Sequence, residues 1–356
     1  MGRAWIGGKL VELERALAEA ARLLAASRCP LIAGLGTDVA GARAAIRLAE
    51  RIGAILDHAN SDVLLRDLAV LREAGMMLTT PNEARLRADA LLLVGPTPAA
   101  MATELASAKG EAHPGRKIVR LCPGRAATSV PGETTVGRDP AQLPTLLAAL
   151  RARVAGRPAG KLGVPAQPIE DVATQLKAAR FGVAVWSAAD LDLLAIEMLC
   201  GIVTDLNAQT RFNGFSVTPG DNAVGVLQAC GWMTGFPMRT GFGRGYPEHD
   251  PWRFDGDRMM ASREADCVLW ISAYAPAASP WRDGPPVIAL TSGDAARAGH
   301  PDVQIEVGRP GVDHDSIEHC AALGTLVAVA ATQRSETLPV ADALGRIVAA
   351  LPEAAR

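Results

Sequence analysis

Four side chains that could bind an anion lie in one glycine-rich stretch, residues 220–254. They are Arg239, Arg244, His249 and Arg253. Glycine and proline recur through the second half of this stretch, which predicts an irregular loop rather than a helix or a strand. Long irregular loops in compact proteins are usually functional or pack against something. The arginines could instead bridge loop carbonyls or stack on neighbouring rings, and the sequence leaves both interpretations open.

Aromatic side chains are concentrated in the same part of the chain. Of the 14 Phe, Trp and Tyr residues, 11 lie between Phe212 and Trp281, so the loop must bury its rings or present them to a partner. Tryptophan and tyrosine beside arginine are typical of protein interfaces. We therefore predict that part of the loop faces a partner chain, and that Arg244 hydrogen-bonds to loop carbonyls. The candidate interface and loop anchors are Trp232, Arg244, Tyr246 and Trp252.

A second candidate site is a glycine turn near the N-terminus. Gly34 and Gly36 follow an apolar strand and precede a helix, and Asp57 ends the next strand. This arrangement is similar to a dinucleotide-binding turn, in which glycines admit the pyrophosphate and the acid binds ribose. The third glycine is misplaced, because Val39 stands at its position and Gly41 comes two residues late. An ordinary strand-to-helix turn is the favoured interpretation, and a nucleotide-binding regulatory domain is an alternative.

Residues that could ligate a metal are too scattered to predict a metal site. The one local group is Asp313, His314, Asp315 and His319, and we expect it to cap a short helix with exposed polar groups. No two cysteines form a C-x-x-C pair, so the sequence has no zinc or iron–sulfur signature. Most cysteines have apolar neighbours, which favours buried free thiols. The cysteines are Cys29, Cys122, Cys200, Cys230, Cys267 and Cys320.

Composition and charge argue against two broad classes of partner. The 356-residue chain has a net charge of -2 and no cluster of basic residues, which argues against nucleic-acid binding. Charged residues interrupt every long apolar run, so no membrane span is predicted. The N-terminus has no apolar signal-peptide core, and we therefore expect a cytoplasmic protein.

Strands that alternate with helices predict a layered α/β fold. The fully apolar strand at residues 89–95 is of the type that parallel sheets bury on both faces. A similar short motif precedes two of the predicted strands. Arg87-Ala-Asp89 precedes one of them, and Arg263-Glu-Ala-Asp266 precedes the other. We interpret this pattern as an internal duplication of one Rossmann-like unit, or as convergence on it.

The predicted domain boundaries follow from this duplication and from a linker rich in proline and glycine at residues 158–168. Two short helices are expected to flank two Rossmann-like α/β domains. The predicted domains are an N-terminal helix that packs on the body (1–28), a first Rossmann-like domain (29–156), a second Rossmann-like domain (169–337) with an aromatic Gly-rich insertion (220–254), and a C-terminal helix (338–356).

The motifs of the aromatic loop resemble those of a known family. Asn222-x-x-Gly225, the WMTGFP run at 232–237 and the RGYP run at 244–247 are similar to the B subunit of formylmethanofuran dehydrogenases, which belongs to the molybdopterin oxidoreductase superfamily. The similarity extends over nearly the whole chain, including the stretches PLIAGLGTD and RADALLLVGPTP. It implies an α/β fold of two related Rossmann-like units, as in the central domains of molybdopterin oxidoreductases.

The sequence departs from this family at the cofactor site. The family has a metal-ligating cysteine followed by histidine in the loop after the second strand, and Val63 and Leu64 stand at the matching positions. Neither side chain can ligate a metal or move a proton. The family also has an arginine just before the N-x-x-G turn, where this chain has Thr218 and Pro219. The resemblance therefore marks Val63, Leu64, Thr218 and Asn222 as a degenerate cofactor site.

The start of the sequence differs from the family as well. Family dehydrogenases open with a cysteine-rich segment that holds an iron–sulfur cluster, whereas this sequence opens on its first helix. We therefore expect the N-terminal iron–sulfur segment to be lacking, and we expect neither a cofactor nor a metal to bind.

These departures favour the branch of the family that belongs to the formyltransferase/hydrolase complex of methylotrophic bacteria. The resemblance implies a non-catalytic structural role in one-carbon metabolism and formaldehyde oxidation. Its implied partners are an amidohydrolase-like A subunit, a β-helix-like C subunit and a formyltransferase D subunit. These would move a formyl group from formyl-tetrahydromethanopterin to a furan carrier and hydrolyse it to formate. The alternative is an active tungsten- or molybdenum-pterin formylmethanofuran dehydrogenase chain.

Overall fold

The computed structural model describes residues 2–100, 105, 115–124, 133–159, 166–281, 284–293 and 300–353. Helices alternate with mainly parallel strands along these residues, which confirms the predicted α/β class. The strands in chain order are β1 (Ala4–Ile6), β2 (Lys9–Val11), β3 (Pro30–Gly36), β4 (Ile55–His58), β5 (Ala90–Val94), β6 (Lys117–Leu121), β7 (Glu133–Val136), β8 (Phe181–Trp186), β9 (Arg211–Ser216), β10 (Thr240–Gly241), β11 (Glu248–His249), β12 (Cys267–Ser272), β13 (Val287–Thr291), β14 (Val303–Glu306), β15 (Ser316–Cys320) and β16 (Thr325–Val329).

The helices connect these strands and cover the sheets. Asp38 shows how sequence sets one helix start, because its carboxylate accepts the Gly41 N–H at 2.9 Å and caps the second helix. The α-helices in chain order are α1 (Leu13–Ala26), α2 (Val39–Ile52), α3 (Ser61–Ala74), α4 (Pro81–Arg87), α5 (Pro96–Ala100), α6 (Leu143–Val154), α7 (Ala166–Lys177), α8 (Leu193–Leu206), α9 (Ala223–Thr234), α10 (Gly256–Ala261) and α11 (Val340–Ala350).

The chain divides into two compact units. Unit 1 contains Met1–Ser61, Pro219–His319 and Leu326–Arg356, and unit 2 contains Asp62–Thr218 and Cys320–Thr325. Unit 1 is therefore assembled from three separate segments of the chain, whereas unit 2 is almost entirely one continuous segment.

Unit 1 is organised around a nine-stranded sheet with the order β11-β10-β4-β3-β12-β13-β14-β1-β2. The five strands from β4 to β14 are parallel, and two antiparallel hairpins, β10–β11 and β1–β2, extend the edges. Every residue of β3 and β12 is buried, as expected for apolar parallel strands that are covered on both faces. Helix α2 packs against α9 and α11, and α11 also packs against α1.

Unit 2 contains a five-stranded parallel sheet with the order β7-β6-β5-β8-β9. Alternate residues of β5 enter two separate apolar clusters, with Leu92 and Val94 in one and Leu91 and Leu93 in the other. Because successive side chains of a strand point to opposite faces, the sheet has an apolar core on each side. Helix α6 packs against α7 and α8 in the larger of the two cores.

One acidic residue has the same role in each sheet. Asp89 precedes β5, and its carboxylate accepts the N–H of Phe181 at 3.0 Å, where the adjacent strand β8 begins. Asp266 precedes β12 and accepts the N–H of Cys29 at 3.0 Å, immediately before the adjacent strand β3. Each carboxylate therefore links the strand that it precedes to the start of a parallel neighbour by a hydrogen bond. This shared role gives a structural reason for the repeated motif before the two strands.

The predicted domain boundaries do not coincide with the two structural units. Strands β3 and β4 come from the predicted domain 29–156 but lie in the same sheet as β12 to β14, from the predicted domain 169–337, with β3 paired to β12. Strands β8 and β9 conversely lie in the same sheet as β5 to β7 in unit 2, with β8 paired to β5. The sequence could not reveal this exchange, because a strand that is apolar on both faces carries little signal for which neighbour it pairs with.

The N-terminal region also differs from prediction. Residues 1–28 were expected to form a helix, but the hairpin β1–β2 precedes α1. Gly7 and Gly8 make the turn of this hairpin possible, since both have positive φ angles, which glycine adopts at little cost. At the other end of the chain, α11 lies within the predicted C-terminal helix 338–356.

Replacing Asp266 with alanine should destabilise unit 1. The carboxylate accepts the backbone N–H groups of Arg28 and Cys29 at 2.8 and 3.0 Å, and alanine would leave both without this acceptor. The loss resembles removal of a helix cap, so we expect a decrease of about 1–2 kcal/mol in the free energy of unfolding. Urea denaturation would measure it, with Glu50→Ala, an exposed site on α2, as the control. Equal stability of the two variants would contradict the role assigned to Asp266.

Candidate functional site

The residues at the predicted metal-ligand positions lie on a helix rather than in a loop. Val63 and Leu64 belong to the first turn of α3, where Leu64 is buried and Val63 packs against the apolar core of unit 2. Both side chains contain only carbon and hydrogen, so neither offers a donor atom to a metal. Thr218, half-buried, is in unit 2, and Asn222 is in unit 1.

Asn222 acts as a structural junction within unit 1. Its side-chain amide donates to the Thr37 carbonyl at 2.9 Å, and its side-chain oxygen accepts the His319 N–H at 2.8 Å. The residue has a left-handed backbone (φ 55°), a conformation that asparagine tolerates better than most residues. A Cβ at Gly225 would lie 2.2 Å from the Asn222 side-chain oxygen. The N-x-x-G motif therefore ties the turn after β3 to β15, and its glycine is needed for space.

The glycine turn after β3 is built for close packing. Gly34 has a φ angle of 75°, and a Cβ there would lie 2.6 Å from the Ile271 carbonyl oxygen of the adjacent strand. The buried carboxylate of Asp38 already caps the N-terminus of α2, where a phosphate would need to bind. This geometry favours an ordinary strand-to-helix turn over a nucleotide site.

Asp57, the candidate ribose-binding acid, instead anchors the aromatic loop. Its carboxylate accepts the Gly256 N–H at 2.8 Å and lies 3.5 Å from the guanidinium of Arg239, which also pairs with Asp255 at 2.5 Å. Burial raises the pKa of Asp57 to about 6, although a hydrogen bond from Ser61 and the charge of Arg239 act in the opposite direction. Desolvation is the largest of these effects on the pKa, and the negative charge of nearby Asp255 acts in the same direction.

The arginines of the loop and of the following helix α10 divide into carbonyl-binding and surface residues. Arg239 donates to the Pro251 carbonyl at 2.9 Å, and Arg258 donates to the Trp252 carbonyl at 3.0 Å. Arg244, which was predicted to bind loop carbonyls, instead pairs with Glu248 at 3.2 Å and interacts with the Tyr246 hydroxyl. That prediction for Arg244 is wrong, because its side chain is exposed at the hairpin between β10 and β11. No sequence feature distinguishes Arg239 from Arg244 before the fold is known.

The loop buries some of its apolar side chains and exposes others. Phe242, Phe254 and Met238 are buried in unit 1. Trp252 is 71% exposed and Trp232 is 67% exposed, values well above those of ordinary core aromatics. The exposed apolar side chains of the loop are Trp232, Met233, Phe236, Tyr246 and Trp252.

The cluster at residues 313–319 is a turn and a strand rather than a helix cap. Asp313 accepts the Arg309 N–H at 2.7 Å, and Asp315 pairs with Arg334 at 2.6 Å. His314 lies in the turn before β15, whereas His319 lies in that strand. Across the described ranges, no three His, Cys, Asp or Glu side chains are arranged to hold a metal ion. No helix among the same residues is long and apolar enough to cross a membrane.

Comparison with known proteins identifies the family. No protein-family model matches the sequence. The chain is 38% identical over 317 residues to the B subunit of the formyltransferase/hydrolase complex Fhc of Methylorubrum extorquens, and the match covers 86% of this chain and 85% of the relative. The chain belongs to the Fhc B family. This finding confirms the resemblance that the motifs of the aromatic loop predicted.

Solved structures agree with this assignment. The X-ray structure of the formyltransferase/hydrolase complex FhcABCD from Methylorubrum extorquens, in complex with methylofuran, contains a match with a TM-score of 0.87 and 35% identity over 97% of both chains. Acetylene hydratase from Pelobacter acetylenicus matches with a TM-score of 0.64 at 10% identity, covering 96% of this chain and 59% of that one. The second likeness shows a shared fold alone.

The chain is also similar, at lower identity, to a dehydrogenase subunit. The chain is 27% identical over 283 residues to the B subunit of the tungsten-containing formylmethanofuran dehydrogenase 2 of Methanocaldococcus jannaschii, covering 74% of this chain and 65% of the relative. In this member of the Fhc B family, the carbon side chains of Val63 and Leu64 cannot provide the sulfur or imidazole ligands that the resemblance placed there.

Replacing Asn222 with alanine should destabilise unit 1 of this Fhc B family member. The change removes hydrogen bonds to Thr37 and His319 and forces alanine into a left-handed conformation. We expect a decrease of about 2–4 kcal/mol in the free energy of unfolding. Asn222→Asp, which keeps the acceptor for His319 but loses the donor to Thr37, should have an intermediate effect. Denaturant titration would compare the variants, and a neutral effect of Asn222→Ala would show that the junction is dispensable.

Replacing Asp57 with asparagine should remove a pH dependence of stability. The folded pKa of about 6 exceeds the ordinary value of 3.8, so the contribution of protonated Asp57 is full below about pH 4 and is lost as the pH rises through 6. Ionisation should cost about 3 kcal/mol by pH 8. Asp57→Asn should therefore be at least as stable as the native chain at pH 8, with the difference shrinking toward pH 4.

Urea denaturation at pH 4, 6 and 8 would test this. If Asp57→Asn is destabilising at pH 8 and neutral at pH 4, the ion pair with Arg239 outweighs desolvation and the assignment is wrong.

Proposed function

We propose that this chain is a non-catalytic structural subunit of a formyltransferase/hydrolase complex in one-carbon metabolism. The observation that carries the proposal is the match to the B subunit of Fhc, at 38% identity over 86% of the chain. The similarity to a chain of the solved FhcABCD complex, which aligns over 97% of both chains, supports the same conclusion. A structural subunit of this kind acts through the chains that it holds in place, so its function depends on its surfaces.

In this proposal the sister subunits carry the chemistry. They are an amidohydrolase-like A subunit, a β-helix-like C subunit and a formyltransferase D subunit. Together they would transfer the formyl group of formyl-tetrahydromethanopterin to a furan carrier and release it by hydrolysis as formate. The solved FhcABCD complex was determined with methylofuran bound, which supports a furan carrier as the substrate class.

The proposal that this chain is itself inactive rests on its side chains. At the positions where the dehydrogenase resemblance places a cysteine and a histidine, Val63 packs on the core of unit 2 and Leu64 is buried. The described cysteines are all free, and the sequence has no cysteine between Cys29 and Cys122 that could take over as a ligand. These residues do not fit a tungsten- or molybdenum-pterin site, and no catalytic step is assigned to the chain.

We also propose that the two units derive from one duplicated Rossmann-like unit. The sheet orders β4-β3-β12-β13-β14 and β9-β8-β5-β6-β7 are equivalent, and Asp266 and Asp89 have matching roles in them.

Metal analysis of the purified chain and of its native complex would test the proposed function. We expect no stoichiometric tungsten, molybdenum or iron in the isolated chain, because Val63 and Leu64 supply no ligand. We also expect the chain to co-purify with its sister subunits. Stoichiometric tungsten or molybdenum would favour the active dehydrogenase alternative. Failure of the native chain to co-purify with any sister subunit would contradict a structural role.

A further inference from the structure

An open groove lies on unit 2 between α6 and α8, and two arginines line it. Its volume is about 490 Å³, which lies within the range of pockets that bind small molecules. Helix α6 and its cap contribute Ala148, Ala152 and Ala155 to the lining, and α8 contributes Met198. The alanines recur at the spacing of one helix face, and their short side chains leave room where the two helices pack. The groove therefore has an apolar floor.

The end of α6 holds Arg157 at this groove. Gly156 has a positive φ angle of 70°, and its N–H donates to the Arg153 carbonyl at 3.1 Å. The next N–H, that of Arg157, donates to the Ala152 carbonyl at 2.7 Å. These two hydrogen bonds form the Schellman motif of a helix C-terminus, and they fix the Arg157 backbone against the last turn. The Arg157 side chain is exposed and lines the groove.

The guanidinium of Arg151 is held against α8. Gly201 gives it room, because a Cβ at this position would lie 2.3 Å from the guanidinium carbon. Arg151 Nε donates to the carboxylate of Asp205 at 3.4 Å, which is long for a hydrogen bond between charged groups. Among the described residues, this side chain makes no other hydrogen bond. Arg151 is therefore positioned at the groove and keeps donors for a ligand.

The charges at the groove favour an anion. Its described lining contains two arginines and one aspartate, Arg151, Arg157 and Asp205, so positive charge is in excess. No carboxylate within the described part of the chain pairs with Arg157. The negative end of the α6 dipole opposes an anion, but Lys177 Nζ donates to the Arg153 carbonyl at 3.0 Å and offsets part of this effect. A guanidinium matches a carboxylate well, since it can donate two parallel hydrogen bonds to it.

We propose that this groove binds a small organic carboxylate. The carboxylate would pair with Arg157 and with the remaining donors of Arg151, and the hydrocarbon body would lie on the alanines of α6. An inorganic anion fits less well, because it would leave the apolar floor in water. None of the four positions that the dehydrogenase resemblance marks lines the groove. The inference goes beyond the proposed structural role and does not depend on it.

Benzoate is a suitable probe, and benzamide is its uncharged counterpart of similar shape. Saturation-transfer NMR with the full-length chain would measure the dissociation constant of each compound. We expect a value on the order of 1 mM for benzoate, because small ligands have few atoms with which to gain affinity. The value for benzamide should be about tenfold higher, because it lacks the charge that the arginines recognise. Added salt should weaken benzoate binding, since the groove is open to solvent.

Two substitutions test the two arginines separately. Arg157→Gln should weaken benzoate binding about tenfold, because it removes one charged donor. Gly201→Ala should also weaken it although no charge is lost, because the added Cβ would displace the Arg151 guanidinium. The matched controls are Arg47→Gln, at an exposed site on α2, and Gly345→Ala, on α11, where an added Cβ meets nothing within 4 Å. Both controls should bind benzoate like the native chain.

Circular dichroism and thermal denaturation would show that each variant still folds. Equal affinity for benzoate and benzamide would overturn the proposal, because the groove would then not recognise charge. Native affinity in both Arg157→Gln and Gly201→Ala would overturn it as well, since benzoate would then bind elsewhere. Inorganic phosphate that displaces benzoate at equal concentration would contradict the role of the apolar floor, and a lack of saturable benzoate binding would contradict the site as a whole. None of these results bears on the structural role, which metal analysis and co-purification test independently.

Discussion

The pairing of β3 with β12 is the contact on which the rest of unit 1 depends. The two strands come from opposite halves of the chain, and every residue of both is buried. Asp266 joins the starts of the two strands, and Gly34 permits their close approach near the other end. Because this pairing supplies backbone hydrogen bonds and apolar burial together, it fixes the position of every strand added on either side.

The aromatic loop is built onto this sheet. Strand β10 pairs with β4, and Asp57 near the end of β4 contacts Arg239 from the loop and Gly256 at the start of α10. Burying this carboxylate is unfavourable, as its raised pKa shows, and hydrogen bonds and the nearby arginine offset only part of the desolvation. Strand pairing and the contacts of Asp57 therefore attach the irregular loop to the sheet, while several of its aromatic rings remain exposed.

At the two positions where the resemblance to dehydrogenases implies metal ligands, this chain has apolar side chains that contribute to packing. Leu64 is buried and Val63 packs on an apolar core of unit 2, so burial of apolar side chains stabilises this part of the chain. Asn222 is likewise occupied by hydrogen bonds to Thr37 and His319. A chain with these features can keep its architecture without a bound group, which agrees with the structural role that we propose.

The sequence by itself determined the α/β class, the family and the location of the irregular loop. Apolar periodicity, the N-x-x-G motif and the density of glycine and proline are local features that can be read along the chain. The repeated acidic residues Asp89 and Asp266 each precede a strand and accept a backbone N–H at the start of a parallel neighbour.

Only the tertiary structure decided how the strands are distributed between the two sheets. It also decided which polar side chains form hydrogen bonds and ion pairs that stabilise the fold. The exchange of β3 and β4 for β8 and β9 follows from the long-range pairing of β3 with β12 and of β8 with β5, because strands that are apolar on both faces, such as β3 and β8, carry little sequence signal for which neighbour they pair with. The roles of Asp57 and Arg239, and the surface position of Arg244, depend on which side chains the folded loop brings within hydrogen-bond distance. Spacing along the sequence does not contain that information, because burial and charge pairing arise only once distant segments meet.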